Sequence, residues 1–350
     1  MDISKIDNNF AERRDVSSKK DIHFYSVENS PFTVYGVFKK EGLYRRMPDD
    51  VAKNVSDGVY YLHTNTAGGR VRFRTDSSYI AIRAEMDSVG KMPHFALAGS
   101  AGFDLYADNV YVNTYVPPYN IENGYDACID VGLGGMREIT VNFPLYSNVR
   151  ELYIGLSDGA KIEAPTPYSI EKPFVFYGSS ITQGGCASRP GTSYESIVSR
   201  YFDCNYLNLG FSGNARAENE IIDYVKSLDM SVFILDYDHN APNEDHLRAT
   251  HEKMFKAVRE AHPTLPIILM SRPKHLLNEW ETERLEIITQ TYKNALAAGD
   301  KNVYLLTGAD LTALCGNEGT VDGCHPTDFG FASMAKAICN LMEKENIKPI

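Results

Sequence analysis

Five short apolar runs, at 174–177, 206–209, 232–235, 267–270 and 303–306, alternate with segments in which apolar residues recur at helical spacing. Strands buried on both faces read as unbroken apolar stretches, because helices cover the parallel sheet they form. The pattern predicts a three-layer α/β/α domain around a five-stranded parallel sheet. Tyr194, Ile197, Val198 and Tyr201 mark one helix face, and Leu285, Ile288, Tyr292 and Leu296 mark another that Gly299 is placed to end. Thr192 and Glu195 have the spacing of a capping box. Phe331, Met334, Ile338 and Leu341 define a last helix. In such sheets functional groups collect at the carboxyl ends of the strands.

The chain's first half reads differently. Val59–Leu62, Val71–Arg74, Tyr79–Arg83, Val110–Val112, Ile139–Phe143 and Glu151–Leu156 are β-rich, and several alternate polar with apolar residues. Gly, Asn and Asp separate them. Many short strands predict a β-sandwich of jelly-roll type over residues 1–168. Pro165, Pro167 and Pro173 stiffen the connector, so the junction is placed near 165–173 and the second domain at 172–350. A length of 350 residues suits two domains.

Composition narrows the partners. A formal charge of −11 and the lack of any large basic cluster exclude nucleic acid and anionic lipid surfaces. No run approaches the length of a membrane span. The stretch MDISKIDNNFAERRDV lacks the apolar centre of a secretory signal, which leads to an expectation of cytoplasmic location. The six cysteines form no CxxC pair and no zinc spacing, and read as reduced, mostly buried thiols. The oligomeric state is not legible.

Four segments carry chemistry. Gly178-Ser179-Ser180 follows the first apolar run. It is no phosphate loop, since no GK[ST] follows, and no GxSxG elbow, since Thr182 stands where the last glycine would be. Gly210-Phe211-Ser212-Gly213-Asn214-Ala215 follows the second run and offers backbone N–H groups. Asp238-His239-Asn240-Ala241 follows the third, and Asn240 carries an amide that can donate to a bound carbonyl oxygen. Asp322-Gly323-Cys324-His325-Pro326 precedes the last helix. Its Asp and His stand three apart, so the carboxylate can hold one imidazole nitrogen while the other accepts a proton from a serine. A zinc reading of this segment lacks further ligands in sequence reach. Each segment alone is an ordinary turn; together, in the order Ser…Asp…His, they describe a serine hydrolase.

These blocks resemble the SGNH (GDSL-type) hydrolase superfamily, in order and over about residues 172–350. Ser179 stands where the family usually has aspartate, and Ala241 where an aspartate usually follows asparagine. Ala101-Gly102-Phe103-Asp104-Leu105-Tyr106 is similar to the Gly-x-Asp-Leu-Tyr signature of β-rich domains that precede some SGNH domains, carbohydrate acetylesterases among them. The resemblance implies Ser180 as nucleophile, His325 as base and Asp322 as its orienting partner. It implies an oxyanion hole from the N–H groups of Ser180 and Gly213 with the Asn240 amide, and no cofactor or metal. The expected substrate is a short ester, acetyl first, on a sugar, oligosaccharide or similar soluble molecule. Trp280, the single tryptophan, offers a ring for a sugar to stack on, or a partly buried packing group. Asp104 and Tyr106 are placed to approach the cleft if the N-terminal domain walls it. Two other readings stay open: a lipid-directed esterase such as a lysophospholipase, and a glycan-binding protein with an inactive hydrolase domain.

Overall fold

Ile170 begins the strand from which the second half of the chain is organised. The computed structural model describes residues 3–7, 16–132 and 134–350. Most of the N-terminal stretch MDISKIDNNFAERRDV, expected to lack a secretory signal, lies outside those described residues. Strands β13 (Ile170–Gly178), β14 (Cys204–Gly210), β15 (Val232–Asp236), β16 (Ile267–Met270) and β17 (Val303–Leu306) pair in the order β14-β13-β15-β16-β17. All pairs are parallel, and all five apolar runs fall in these strands. Pro173 lies within β13 rather than before it. Proline has no N–H to give the ladder, and the β13–β14 register shifts between Ile170 and Phe174.

Helices α4 (Tyr194–Phe202), α8 (Gly308–Leu311) and α9 (Asp328–Lys344) share one core with one face of this sheet. Helices α5 (Asn219–Ser227), α6 (Glu244–Ala261) and α7 (Glu279–Ala297) share another. Gly299, at φ +86°, follows the end of α7. Phe331, Met334 and Ile338 are buried as their spacing predicts. Two helix faces are rotated from expectation. Tyr201 and Leu296 are exposed, while Arg284 and Glu281 occupy the buried face of α7 because they pair with other buried charges. The Thr192–Glu195 capping box does not form. Pro190–Thr192 make a 3-10 turn in which the Thr192 hydroxyl donates to the Arg189 carbonyl, and Ser193 takes the cap position. No helix of the described residues is long and apolar enough to cross a membrane.

The first half contains β1 (Ile22–Ser26), β2 (Thr33–Tyr35), β3 (Phe38–Lys40), β4 (Leu43–Arg45), β5 (Arg70–Thr75) and β6 (Tyr79–Glu85). Then come β7 (Phe103–Ala107), β8 (Val110–Tyr115), β9 (Gly124–Asp130), β10 (Arg137–Asn142), β11 (Glu151–Ser157) and β12 (Ile162–Glu163). A four-stranded sheet β1-β11-β6-β9 faces a sheet ordered β12-β5-β10-β7-β8, with β2 added on β5. Both are antiparallel. Alternation sorts their side chains: Val71, Phe73, Phe103, Leu105, Ile139 and Val141 enter the sandwich core. Their neighbours Arg70, Arg72, Asp104, Tyr106 and Asn142 turn toward the second domain.

One predicted strand is a helix. Val59–Leu62 belongs to α2 (Asp57–Leu62), which follows α1 (Asp49–Val55); a short α3 (Leu97–Ser100) precedes β7. The Ser56 hydroxyl caps α2 by accepting from the Val59 N–H at 3.2 Å. Val59 and Leu62, three apart, are buried, whereas Tyr60 and Tyr61 face out. With Met47 and Ala52 they join the α5–α6 core of the parallel-sheet domain. The proline connector therefore separates two sheets but not two independent cores.

Candidate active site

The site is built on one row of residues across three adjacent strands: Gly210, Gly178 and Asp236 are in register. Gly178 has no room for a side chain. A Cβ there would sit 2.0 Å from the Thr182 hydroxyl and 2.3 Å from the Asp236 carbonyl. The chain turns tightly after it. The Ser179 hydroxyl accepts from the Ile181 N–H at 3.1 Å, and the Ser180 carbonyl accepts from the Gly185 N–H at 2.8 Å. Thr182 anchors the turn by donating to the Asp236 carboxyl at 3.0 Å, which Tyr194 also reaches at 3.3 Å. Burial pushes Asp236 up to about 8, against the pull of those two hydroxyls.

Ser180 Oγ lies 3.0 Å from His325 Nε2, and His325 Nδ1 lies 2.8 Å from Asp322 Oδ2. The turn at 320–326 makes this possible. Its ends are bridged at Thr320 and Pro326, and the Val321 N–H donates to the His325 carbonyl at 2.9 Å. Within it, Asp322 Oδ1 accepts from the N–H groups of Cys324 (2.9 Å) and His325 (2.7 Å). Burial works against ionisation of Asp322, but these hydrogen bonds and the His325 ring outweigh it and hold the carboxyl down at about 2. The side chains of Ser180, Asp322 and His325 thus form one connected chain of contacts.

Ser180 N–H, Gly213 N–H and the Asn240 amide NH2 donate to no partner among the described residues. They stand two, three and four residues beyond the Gly178–Gly210–Asp236 row. Asn240 is oriented by its Oδ1, which accepts from the Ala215 N–H at 3.2 Å, leaving the NH2 to face elsewhere. The 3-10 turn that carries it, Asp238–Asn240, rests on buried charge. Asp238 is bonded by Arg272 (3.2 Å) and Arg284 (2.7 Å). Burial opposes its charge, yet Arg272 and Arg284 keep it at about 2. His239 beside it is held neutral, down at about 4, by burial and by Arg272.

The N-terminal half reaches this site with residues that the sequence reading did not single out. His94 Nε2 lies 3.8 Å from Asp322 Oδ2, and its ring centroid is 5.8 Å from that of His325. The Tyr146 hydroxyl donates to the Ser180 carbonyl at 3.1 Å. Gln183 accepts from the Ser212 N–H at 3.0 Å and donates to Asn65 and Leu145, each at 3.3 Å. Buried Arg46 donates to the Gly210 carbonyl at 2.6 Å, tying down the loop that holds Gly213. No local signal distinguishes these residues, whose partners lie from 29 to more than 200 positions away. Among the described residues, one group has metal-ligand character: single donor atoms of His94, Cys186 and His325 lie within 4.8 Å of one another.

Asp104 and Tyr106 do not line the cleft. Asp104 is fully buried, paired with Arg189 at 2.7 Å and bonded to the Gly191 N–H and the Asn142 amide, both at 2.8 Å. Tyr106 is buried against the same turn and accepts from Arg189 at 2.6 Å. Since β7 sends Phe103 and Leu105 inward, the intervening pair must face the domain junction, where they serve as a clamp. Trp280, in the first turn of α7, is 48% exposed. Arg272 and Arg284 lie 4.5 and 5.5 Å from its ring centre, so buried guanidiniums already pack against it.

Residues 171–343 match the model of the GDSL-like lipase/acylhydrolase family, and residues 22–162 match that of the GxDLY N-terminus of SGNH-hydrolase-type esterases. No curated protein matches the chain. Solved structures do. A protein described as a GDSL-like lipase from Bacteroides ovatus has 27% identity and a TM-score of 0.82, over 94% of this chain and 99% of that one. A salicylyl-acyltransferase of a tetracycline biosynthetic pathway has 20% identity and a TM-score of 0.77, over 94% and 98%. A family two carbohydrate esterase from Clostridium thermocellum, solved with cellohexaose, has 14% identity and a TM-score of 0.60, over 81% and 94%. The last two likenesses concern the fold.

Proposed function

Because the chain belongs to the SGNH (GDSL-type) hydrolase superfamily, with a GxDLY-type N-terminal domain, we propose that it is a serine esterase that removes short acyl groups, acetyl first, from a carbohydrate or similar soluble polar substrate. The observation that carries this reading is the continuous contact from Ser180 Oγ through the His325 ring to Asp322, at 3.0 and 2.8 Å.

In this mechanism Ser180 Oγ attacks the ester carbonyl as His325 Nε2 takes its proton. Asp322 keeps the other ring nitrogen protonated and stabilises the imidazolium. The carbonyl oxygen becomes an oxyanion received by the unpaired N–H groups of Ser180 and Gly213 and the Asn240 amide. His325 returns its proton to the leaving alcohol, and the acyl group stays on Ser180. Water, deprotonated by the same imidazole, then attacks the acyl-enzyme and releases the acid. Every group needed belongs to the chain itself.

Substrate class rests on less specific support. Structures of the same fold include the cellohexaose-bound esterase above and an acetyl xylan esterase from Butyrivibrio proteoclasticus, at 12% identity. The exposed His94, which the N-terminal half brings beside Asp322 and His325, ends in a polar group that suits a hydroxylated leaving group. Ser180 itself is only 8% exposed, which favours a small acyl group over a long one.

The test combines two assays. The protein should turn over p-nitrophenyl acetate, and Ser180→Ala should abolish it; full activity in that variant overturns the mechanism. Mass-spectrometric screening of acetylated oligosaccharides should reveal loss of acetyl by the wild type alone. Activity that rises toward long-chain p-nitrophenyl esters overturns the short-acyl assignment in favour of a lipid-directed esterase.

A further inference from the structure

Three segments far apart in the chain each bring one metal-ligating side chain to the neighbourhood of Ser180. His94 sits in a short turn of the N-terminal half that Met92 and Phe95 close. Cys186 follows the nucleophile turn, and His325 belongs to the turn at 320–326. One donor atom of each lies within 4.8 Å of the other two. Main-chain packing holds the three segments together. Phe95, next to His94, is buried in the core that α4 and α9 share, and its ring meets that of Tyr146 edge-on at 5.2 Å. Helix α3 lies so close to the Cys186 segment that a Cβ on Gly99 would stand 2.0 Å from the Ala187 carbonyl oxygen. A Cβ on Gly185 would stand 3.4 Å from His325 Cδ2. The Ser188 N–H donates to Asp328, in the first turn of α9, at 2.8 Å.

The group borders solvent: the side chains of His94 and His325 are 43% and 25% exposed, and Cys186 is half-buried. Two imidazoles and a thiolate select a borderline-soft cation such as zinc over magnesium or calcium, which prefer oxygen. A carboxylate stands beside them, with Asp322 Oδ2 3.8 Å from His94 Nε2. Its charge and that of a Cys186 thiolate together cancel the two positive charges of the ion. Burial pushes the Cys186 thiol up to about 11, so an arriving ion must send that proton to solvent. This requirement keeps the affinity below that of a structural zinc site. Three protein ligands leave the fourth tetrahedral position to water.

We propose that His94, Cys186 and His325 form a reversible inhibitory zinc site, which links the sandwich to both turns that carry the Ser180–His325 contact. Both ring nitrogens of His325 are already committed, Nε2 to Ser180 Oγ and Nδ1 to Asp322. Whichever one the ion takes, one link of that chain is broken and the base is lost. Zinc binding itself does not depend on the esterase reading; the inhibition does.

The experiment reads the metal directly. Cobalt(II) added to the full chain should give a thiolate-to-cobalt charge-transfer band in the near ultraviolet, and zinc should abolish it. Cys186→Ser should lose the band, and Cys324→Ser should keep it. By calorimetry, His94→Ala should bind zinc at least about 10-fold more weakly, since even an outer-shell partner commands such a loss. Crystals soaked in zinc should show an anomalous peak about 2.0–2.3 Å from one donor atom of each residue. No thiolate band, a band that survives Cys186→Ser, unchanged affinity in His94→Ala, or a peak that misses any of the three overturns the proposal. If a variant does not fold, the anomalous peak in the wild type decides. A protein that binds zinc in this way but hydrolyses no ester refutes the esterase reading and leaves the site standing.

Discussion

Replacing Asp322 by asparagine should disable the site by inverting a tautomer, without moving an atom far. The wild-type carboxylate divides its work. Oδ1 accepts from the N–H groups of Cys324 and His325 at 2.9 and 2.7 Å, and Oδ2 accepts from His325 Nδ1 at 2.8 Å. Asparagine has one oxygen. Two main-chain donors converge on the Oδ1 position against one ring donor at Oδ2, so the amide oxygen stays with the main chain and the NH2 turns to the ring. His325 must then accept at Nδ1 and carry its proton on Nε2, the atom 3.0 Å from Ser180 Oγ. The base becomes a donor. In serine hydrolases of other folds this error costs roughly 10,000-fold in kcat, equivalent to about 5.4 kcal/mol at 1.36 kcal/mol per tenfold. Steady-state kinetics with p-nitrophenyl acetate should show that loss with KM little changed and the thermal midpoint preserved. A kcat within tenfold of the wild type would falsify the claim that Asp322 sets the His325 tautomer.

Asn240→Ala should lower kcat by roughly 100- to 1000-fold, the usual loss for one oxyanion donor, with the circular dichroism spectrum unchanged; a normal kcat removes Asn240 from the site. Asp238→Ala leaves Arg272 and Arg284 buried without their shared carboxylate, and urea unfolding should report a loss of about 3–5 kcal/mol, with esterase activity falling as the Asn240 turn loosens. Asp236 stands near 8 in the fold against 3.8 for a free carboxyl, so the native state keeps a proton that the unfolded chain releases. Stability should therefore fall as pH rises from about 4 to about 8 and then level off. Asp236→Asn should gain on the wild type from pH 5 to pH 9, and a gain independent of pH counts against the assignment. Zinc should inhibit ester turnover reversibly with EDTA, through His94, Cys186 and His325, and Cys186→Ser should need more zinc for the same effect; equal sensitivity of the two proteins excludes Cys186 as a ligand.

Much of the parallel-sheet domain was legible because its signal is local. An apolar run of four residues bounded by Gly or a polar turn is a buried strand with little competition, and all five were in place. Ser180, Asp322 and His325 were legible for a different reason: strand ends in such a sheet converge, and an Asp and His three apart can hydrogen-bond within one turn. Val59–Leu62 misled because aromatic and β-branched residues favour strands on average. What decided was a Ser56 cap and a three-residue spacing of the two side chains that find a core. Thr192 and Glu195 misled for a related reason, since the preceding Pro190 starts a 3-10 turn that moves the cap by one residue.

The contributions of the first half to the site were not legible, and the cause is the same throughout. Period-2 alternation tells that Asp104 and Tyr106 share a face opposite Phe103 and Leu105, but not what that face meets. Once Arg189 and the Gly191 turn are known to lie opposite, Asp104 becomes a clamp and ceases to be a candidate for substrate. The same reasoning applies to Arg46, Tyr146 and His94, each of which acts across the junction on a loop that holds Ser180, Gly213 or Asp322. The proline connector suggested two domains held together by a short stiff link, and α1 and α2 go further by burying Met47, Ala52, Val59 and Leu62 in the core of the other domain. A sandwich locked in this way cannot swing aside without uncovering apolar surface and breaking the Arg46 and Tyr146 bonds to the site. In the proposed esterase, substrate selection would then fall to a fixed wall rather than to a mobile module, and His94, with Nε2 3.8 Å from Asp322 Oδ2, is a side chain of that wall that reaches the site.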